Sequence, residues 1–180
     1  MARIYTRSGD AGESGLANGD RINKTDLLFE AIGDVDELNA QIGMIRAMYE
    51  SPSEESTFNV IDEQLSKLQH KLFDVGAQIA QYKDNKIQNQ DTETLEQWID
   101  AWQDQLTPLK QFILPAGTQA GSAAHLARSI CRRAERKTWQ AAAKHVIEPE
   151  VMQYLNRLSD YMFVLARVLN GGNEVFWGDV

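Results

Sequence analysis

The sequence predicts an all-α protein, a single bundle of five helices. Three observations carry that prediction. Five stretches repeat apolar residues at the i, i+3, i+4, i+7 spacing of an amphipathic helix. They are of similar length, and short connections rich in proline, glycine or polar residues separate them. No internal repeat or low-complexity tract intervenes, and 180 residues suffice for one domain with an ample core.

Residues 1–25 come before the first helix and read as loop, because Gly9, Gly12, Gly15 and Gly19 alternate with Asp10, Asn18, Asp20 and Asn23. Residues 8–15 could offer backbone N–H groups and hydroxyls to a phosphate, although the Gly-Lys-Ser/Thr ending of a Walker loop is missing. An ordinary surface loop is the alternative reading. Lys24 is a second possible phosphate contact.

The first helix starts near Asp26, and Leu28, Ile32, Val35, Leu38, Ile42, Ile45 and Tyr49 form its stripe. Asp36 and Asn39 flank that stripe near Gly33 and Gly43, where another helix could come close. A break is expected at Ser51, Pro52 and Ser53. The second helix, residues 58–82, carries Ile61, Leu65, Leu68, Leu72, Val75 and Ile79. A polar linker, 83–91, leads to a third helix over 92–105 with Leu95, Trp98, Ile99 and Trp102. Residues 106–118 are apolar, yet Pro108 and Pro115 keep them from being helical. They read as a buried strap across the bundle or as the wall of an apolar pocket.

The fourth helix, 121–144, carries the chemistry. Ala120, Ala123, Ala124, Ala127, Ile130, Cys131 and Ala134 make a narrow seam of small residues. Beside it Arg128, Arg132 and Arg136 stack at four-residue intervals, with Glu135 between row and seam. Like charges at this spacing cost roughly 0.2–0.5 kcal/mol per pair. Gathered in a chain of net charge -8, such a row points to a bound polyanion, since the guanidinium fork suits phosphate and carboxylate oxygens. A solvated basic face, or one paired with acids of neighbouring helices, is the competing reading. The fifth helix, 149–170, has the stripe Val151, Leu155, Leu158, Met162, Leu165 and Leu169, with Asn156, Asp160, Phe163 and Arg167 on one flank. Gly171 and Gly172 end it.

Several functions are disfavoured. The acidic balance argues against general nucleic-acid binding, and the basic row is the size of one triphosphate. No stretch approaches eighteen uninterrupted apolar residues, and the N-terminus lacks the apolar core of a secretory signal. Cys131 is the single cysteine, so a reducing cytoplasm is the expected setting. His70, His125 and His145 lack metal-ligand spacing, and no Glu-x-x-His pair recurs on two helices. No Ser-His-Asp arrangement emerges, and Trp98, Trp102, Trp139 and Trp177 read as core or interface residues.

Four stretches, in order and in register, resemble one family. They are Ile4-Tyr5-Thr6-Arg7-Ser8-Gly9-Asp10-Ala11-Gly12; Glu30-Ala31-Ile32-Gly33-Asp34-Val35-Asp36-Glu37-Leu38-Asn39; Phe112-Ile113-Leu114-Pro115-Ala116-Gly117 with Cys131-Arg132-Arg133-Ala134-Glu135-Arg136; and Tyr154-Leu155-Asn156-Arg157-Leu158-Ser159-Asp160. The chain is similar to the PduO-type ATP:corrinoid (cob(I)alamin) adenosyltransferases over nearly its whole length. That resemblance implies a homotrimer of five-helix bundles with ATP at each subunit interface. It places Thr6, Arg7, Ser8, Gly9 and Lys24 on ATP from one subunit, and Arg128, Arg132, Glu135, Arg136 and Asn156 from the neighbour. It pairs Asp36 with Arg128 to fix the interface, and sets Phe112, with Ile113, on the corrin side, where it displaces the lower ligand of cobalamin. Arg128, Arg132, Asp36 and Phe112 are thereby the catalytic set. Mg²⁺ rides on the ATP phosphates, with no side-chain ligand assigned. A reductase and an adenosylcobalamin-dependent acceptor enzyme are the protein partners implied. Where the family usually has Lys-Thr-Gly-Asp-Lys-Gly-Thr-Thr, this chain has Arg7 through Ser14, with Ala11 and Glu13 as departures, and Ala116 is another. A non-catalytic sensor of ATP or corrinoid is the alternative; a purely structural bundle leaves the arginine row unexplained.

Overall fold

The computed structural model describes residues 4–49, 56–84 and 86–178. The expected break at Ser51, Pro52 and Ser53 lies outside the described residues. Five helices follow a short hairpin: β1 (Glu13–Gly15), β2 (Arg21–Asn23), α1 (Leu27–Met48), α2 (Ser56–Ile79), α3 (Asn89–Gln103), α4 (Gln119–Ala142) and α5 (Pro149–Leu169).

The predicted stripes are the inward faces of their helices, with Ile32, Tyr49, Trp98 and Ile99 half-buried. Ile61, Leu65, Leu68, Leu72, Val75 and Ile79 of α2 are buried, as are all six stripe residues of α5. The α4 seam is buried from Ala120 to Ala134. Small residues there let two helices approach, and α4 packs against both α1 and α5. Outside that central trio α2 lies on α1 and α3 on α5. Gln64 of α2 ties the outer helices together by accepting from Trp102 Nε1 at 3.0 Å and Tyr161 Oη at 2.9 Å.

α1 and α4 run antiparallel, as their side-chain contacts show. His145, just past α4, lies 2.9 Å from Asp26, whose carboxylate caps α1 by accepting from the Leu28 N–H. At the other end Gln41 donates to the Ala123 carbonyl at 3.1 Å. Thr118 caps α4, accepting from the Gly121 N–H at 3.0 Å.

Three expectations need correction. Residues 1–25 are not all loop: Glu13 pairs with Asn23 and Gly15 with Arg21 in an antiparallel hairpin. Its turn closes through Leu16 N–H to the Asp20 carbonyl, with Gly19 at φ 94, and Ala17 N–H anchors it to the Ala80 carbonyl at the end of α2. The linker before α3 is shorter than 83–91, because the Asp91 side chain accepts from the Gln88 N–H and caps an extra first turn. The apolar strap is not buried: Phe112 is 81% exposed and Leu114 41%. Of the four tryptophans, Trp102 is buried and Trp98 half-buried, whereas Trp139 and Trp177 are exposed.

Candidate active site

α4 presents basic residues on two flanks, and the bundle treats them differently. On the flank facing α1, Arg133 bonds both Asp34, at 3.1 Å, and Glu37, while Lys137 lies 3.3 Å from Glu30. Glu30, Asp34 and Glu37 recur at helical spacing on antiparallel α1, so the two sets of charges meet in register. On the other flank Arg128 is half-buried, and Arg132 and Arg136 are exposed. None of these three has a carboxylate partner among the described residues. Glu135 is half-buried on α4, and Asn156 lies exposed on α5, the helix packed beside it.

Arg128 also meets the apolar side of the molecule. Its guanidinium lies 5.5 Å from the centre of the Phe163 ring, and His125 packs edge-on to that ring at 6.2 Å. A cavity of about 280 Å³ is lined by Phe112, Ile113, His125, Arg128, Ser129 and Phe163, among others. Two residues distant in sequence, Phe112 and Arg128, thus share one cavity. Burial, then the charge of Arg128, lowers the His125 pKa and favours the neutral imidazole.

Phe112 stands on a ribbon that the sequence did not reveal. Ile113 bridges Phe176 in antiparallel fashion, Leu114 N–H donates to the Val175 carbonyl at 2.7 Å, and Trp177 N–H donates to the Phe112 carbonyl at 2.8 Å. Alternation puts Phe112, Leu114, Val175 and Trp177 on one face, and all four are exposed. Ile113 and Phe176 occupy the opposite, half-buried face. The sequence after Gly172 carries no sign of this pairing, since three residues a side give no periodic signal.

The N-terminal loop forms a second cluster. The Thr6 and Ser8 hydroxyls lie 2.8 Å apart, and Arg7 takes φ 62 over the Tyr5 ring. Lys24 donates its N–H to the Gly12 carbonyl at 2.8 Å. A Cβ on Gly9 would come within 3.0 Å of the Lys24 Nζ, so glycine lets the ammonium lie against the loop backbone. Glu13 is 3.7 Å from Arg21, which offsets its negative charge.

Thr6, Ser8, Gly9 and Lys24 are therefore brought together, as are Arg128, Phe112 and Ile113. Among the described residues no hydrogen bond, ion pair or cavity joins the loop cluster to Arg128, Arg132 or Arg136 in the single chain. Asp36 stands elsewhere, exposed in a groove of about 460 Å³ between α1 and α2, beside Gly33, Phe73 and Gly76. It does not meet Arg128 within the chain.

Cys131 offers no nucleophile. It is fully buried, donates to the Leu155 carbonyl, and burial, with smaller contributions from Glu135 and Asp160, pushes its thiol pKa up. No described helix is long and apolar enough to cross a membrane.

The family model described as cobalamin adenosyltransferase matches residues 4–169. The chain is 39% identical to a cobalamin adenosyltransferase of Cupriavidus metallidurans, covering 98% of this chain and 95% of the relative. It is 40% identical to a corrinoid adenosyltransferase of Bacillus subtilis, covering 99% and 91%. The fold superposes with TM-score 0.88 and 34% identity on a variant PduO-type ATP:corrinoid adenosyltransferase from Lactobacillus reuteri, complexed with cobalamin and ATP, over 98% of this chain and 97% of that one. The chain belongs to the cobalamin adenosyltransferase family.

Proposed function

We propose that the protein transfers the 5′-deoxyadenosyl group of ATP to cob(I)alamin or a related corrinoid. The observation that carries this reading is a shared cavity: Arg128, which begins a row of three arginines without a carboxylate partner among the described residues, faces the same space as the exposed Phe112. One suits a polyanion, the other an apolar macrocycle. In the reaction the cobalt(I) electron pair forms a bond to the 5′ carbon of ATP, the C5′–O bond breaks, and triphosphate leaves with that bond's electrons. Reduced cobalt is itself the nucleophile, which fits a chain whose one cysteine is buried in the core.

The residues then divide the work. Arg132 and Arg136, with Arg128 behind them, stabilise charge growing on the departing triphosphate. Mg²⁺ enters with ATP as part of the substrate. Glu135 and Asn156 orient the nucleotide beside the row. Phe112 stands beneath the corrin and keeps the lower ligand from cobalt, which eases reduction of Co(II), and Ile113 backs it.

The loop of Thr6, Arg7, Ser8, Gly9 and Lys24, the segment 1–25 that precedes the bundle over 26–180, wraps the phosphates. That no hydrogen bond or ion pair joins it to the arginine row within one chain, among the described residues, supports a site split between subunits of a homotrimer. The same assembly would bring Asp36 of one subunit to Arg128 of the next. A cytoplasmic setting, with a reductase and an adenosylcobalamin-dependent enzyme as partners, belongs to the same reading.

Incubating the protein with ATP, Mg²⁺ and chemically reduced cobalamin tests it. The expected outcome is a light-sensitive cobalt–carbon product together with free triphosphate. Binding of both substrates without product would identify a sensor instead.

A further inference from the structure

Phe112 is 81% exposed, so packing against the core does not hold it. The ribbon that carries it has two hydrogen bonds and one bridge, too few to be stable alone. Its anchorage comes from α5. Arg167, expected on the same flank as Asn156 and Asp160, is buried, with 6% of its side chain exposed; Glu174 is likewise at 5%. Arg167 Nε donates to Glu174 Oε1 at 2.6 Å, and its Nη2 donates to the Thr107 carbonyl at 2.6 Å. One guanidinium therefore grips both halves of the ribbon, the tail through Glu174 and the strap through Thr107. One turn further on, Asn170 holds the strap's far end, donating to the Ala116 carbonyl at 2.9 Å and accepting from the Thr118 N–H at 2.9 Å.

We infer that Arg167 and Glu174 are positioning residues for the corrin-side wall, setting the ribbon that presents Phe112 and its cross-strand neighbour Trp177. The inference rests on reading Phe112 as that wall. A buried, charge-assisted pair is a firm anchor because neither partner has water to fall back on. The triphosphate row on α4 makes no contact with it, so the pair acts on one substrate and spares the other.

The test compares Glu174→Gln, Arg167→Lys and Phe112→Ala with the parent enzyme. For each, calorimetry gives ATP affinity, kinetics give kcat/KM for cobalamin, and absorbance gives the four-coordinate Co(II) signature of the ATP-bound enzyme. Glu174→Gln is expected to lower kcat/KM for cobalamin roughly ten- to a hundredfold, as a small misplacement at a reacting centre does, and to weaken the Co(II) signature. ATP affinity should stay within about twofold, since no contact to the arginine row changes. Arg167→Lys keeps the charge but loses the fork, and should give the same split in milder form; it serves where Glu174→Gln does not fold. A parent-like signature in both variants, with the signature lost in Phe112→Ala, overturns the inference alone. Equal losses for ATP and cobalamin also overturn it, because a purely structural pair predicts them. A parent-like signature in Phe112→Ala overturns the reading of Phe112 itself.

Discussion

The two flanks of α4 carry the same chemistry and have opposite fates. Arg133 and Lys137 meet Asp34, Glu37 and Glu30 of α1, so their charge is spent inside the bundle. Arg128, Arg132 and Arg136, a fraction of a turn away, have no such partner among the described residues. The difference is one of neighbours, since α1 offers acids in matching register, whereas Asp160 of α5, which shares a cavity with Arg128, is paired with Arg157 at 2.7 Å. A basic row on a helix is thus a structural device where the adjoining helix answers it with acids; on the proposed reading, the row left unanswered is a binding device.

The largest effect should come from Asp36. If a subunit boundary pairs Asp36 with Arg128 and buries them there, Asp36→Asn leaves the Arg128 charge without its partner, a loss of about 3–5 kcal/mol. Sedimentation should show weakened assembly, and turnover should fall with it. A variant that assembles and turns over like the parent would erase the distinction between Arg128 and the rest of its row.

Arg132→Ala comes next. Hydrogen bonds to charged groups contribute about 1.5–3 kcal/mol each, so ATP affinity should drop roughly ten- to a hundredfold by calorimetry. Helicity and assembly should be unchanged. Unaltered affinity would make the row a solvated face.

Arg133→Ala, on the paired flank, should do the reverse. Its partners are partly exposed, so the cost is about 1 kcal/mol of stability, seen as a lower melting temperature, with ATP affinity unmoved. A loss of ATP affinity to match that of Arg132→Ala would mean the two flanks are not distinct.

The smallest effect is on His125. Its folded pKa is lowered by burial and by Arg128, so the unfolded chain takes up a proton first as pH falls. The stability it contributes is therefore fully present above the ordinary histidine value of 6.5 and is lost as pH falls from there toward the lowered folded pKa. Thermal melts at pH 7.5 and pH 5.5 should show this loss in the parent and a reduced one in His125→Gln.

Much of the fold was legible. The stripes of α1, α2, α4 and α5 predicted their buried faces because helical burial leaves a regular period. The α4 row was legible as well, though whether acids answered it depended on which helix lay alongside. What escaped had no period to read. The hairpin at 13–23 is three residues a side, and the ribbon joins positions some sixty residues apart. Arg167 looked like one more flank residue until Glu174 folded back over it. The strap's apolar composition pointed to burial, yet Phe112 and Leu114 stay exposed.

The unmixed charge on α4 also bears on how such a protein can change. Arg136→Glu would replace a repulsion with an i,i+4 attraction to Arg132 and firm the helix by a few tenths of a kcal/mol. A lineage selected for robustness alone would accept that substitution early. On the proposed reading it would also lose grip on its nucleotide, so stability and activity pull this flank in opposite directions. Laboratory evolution for heat resistance, run without a turnover screen, should therefore place acids at 132 or 136 before touching the alanine seam beside them.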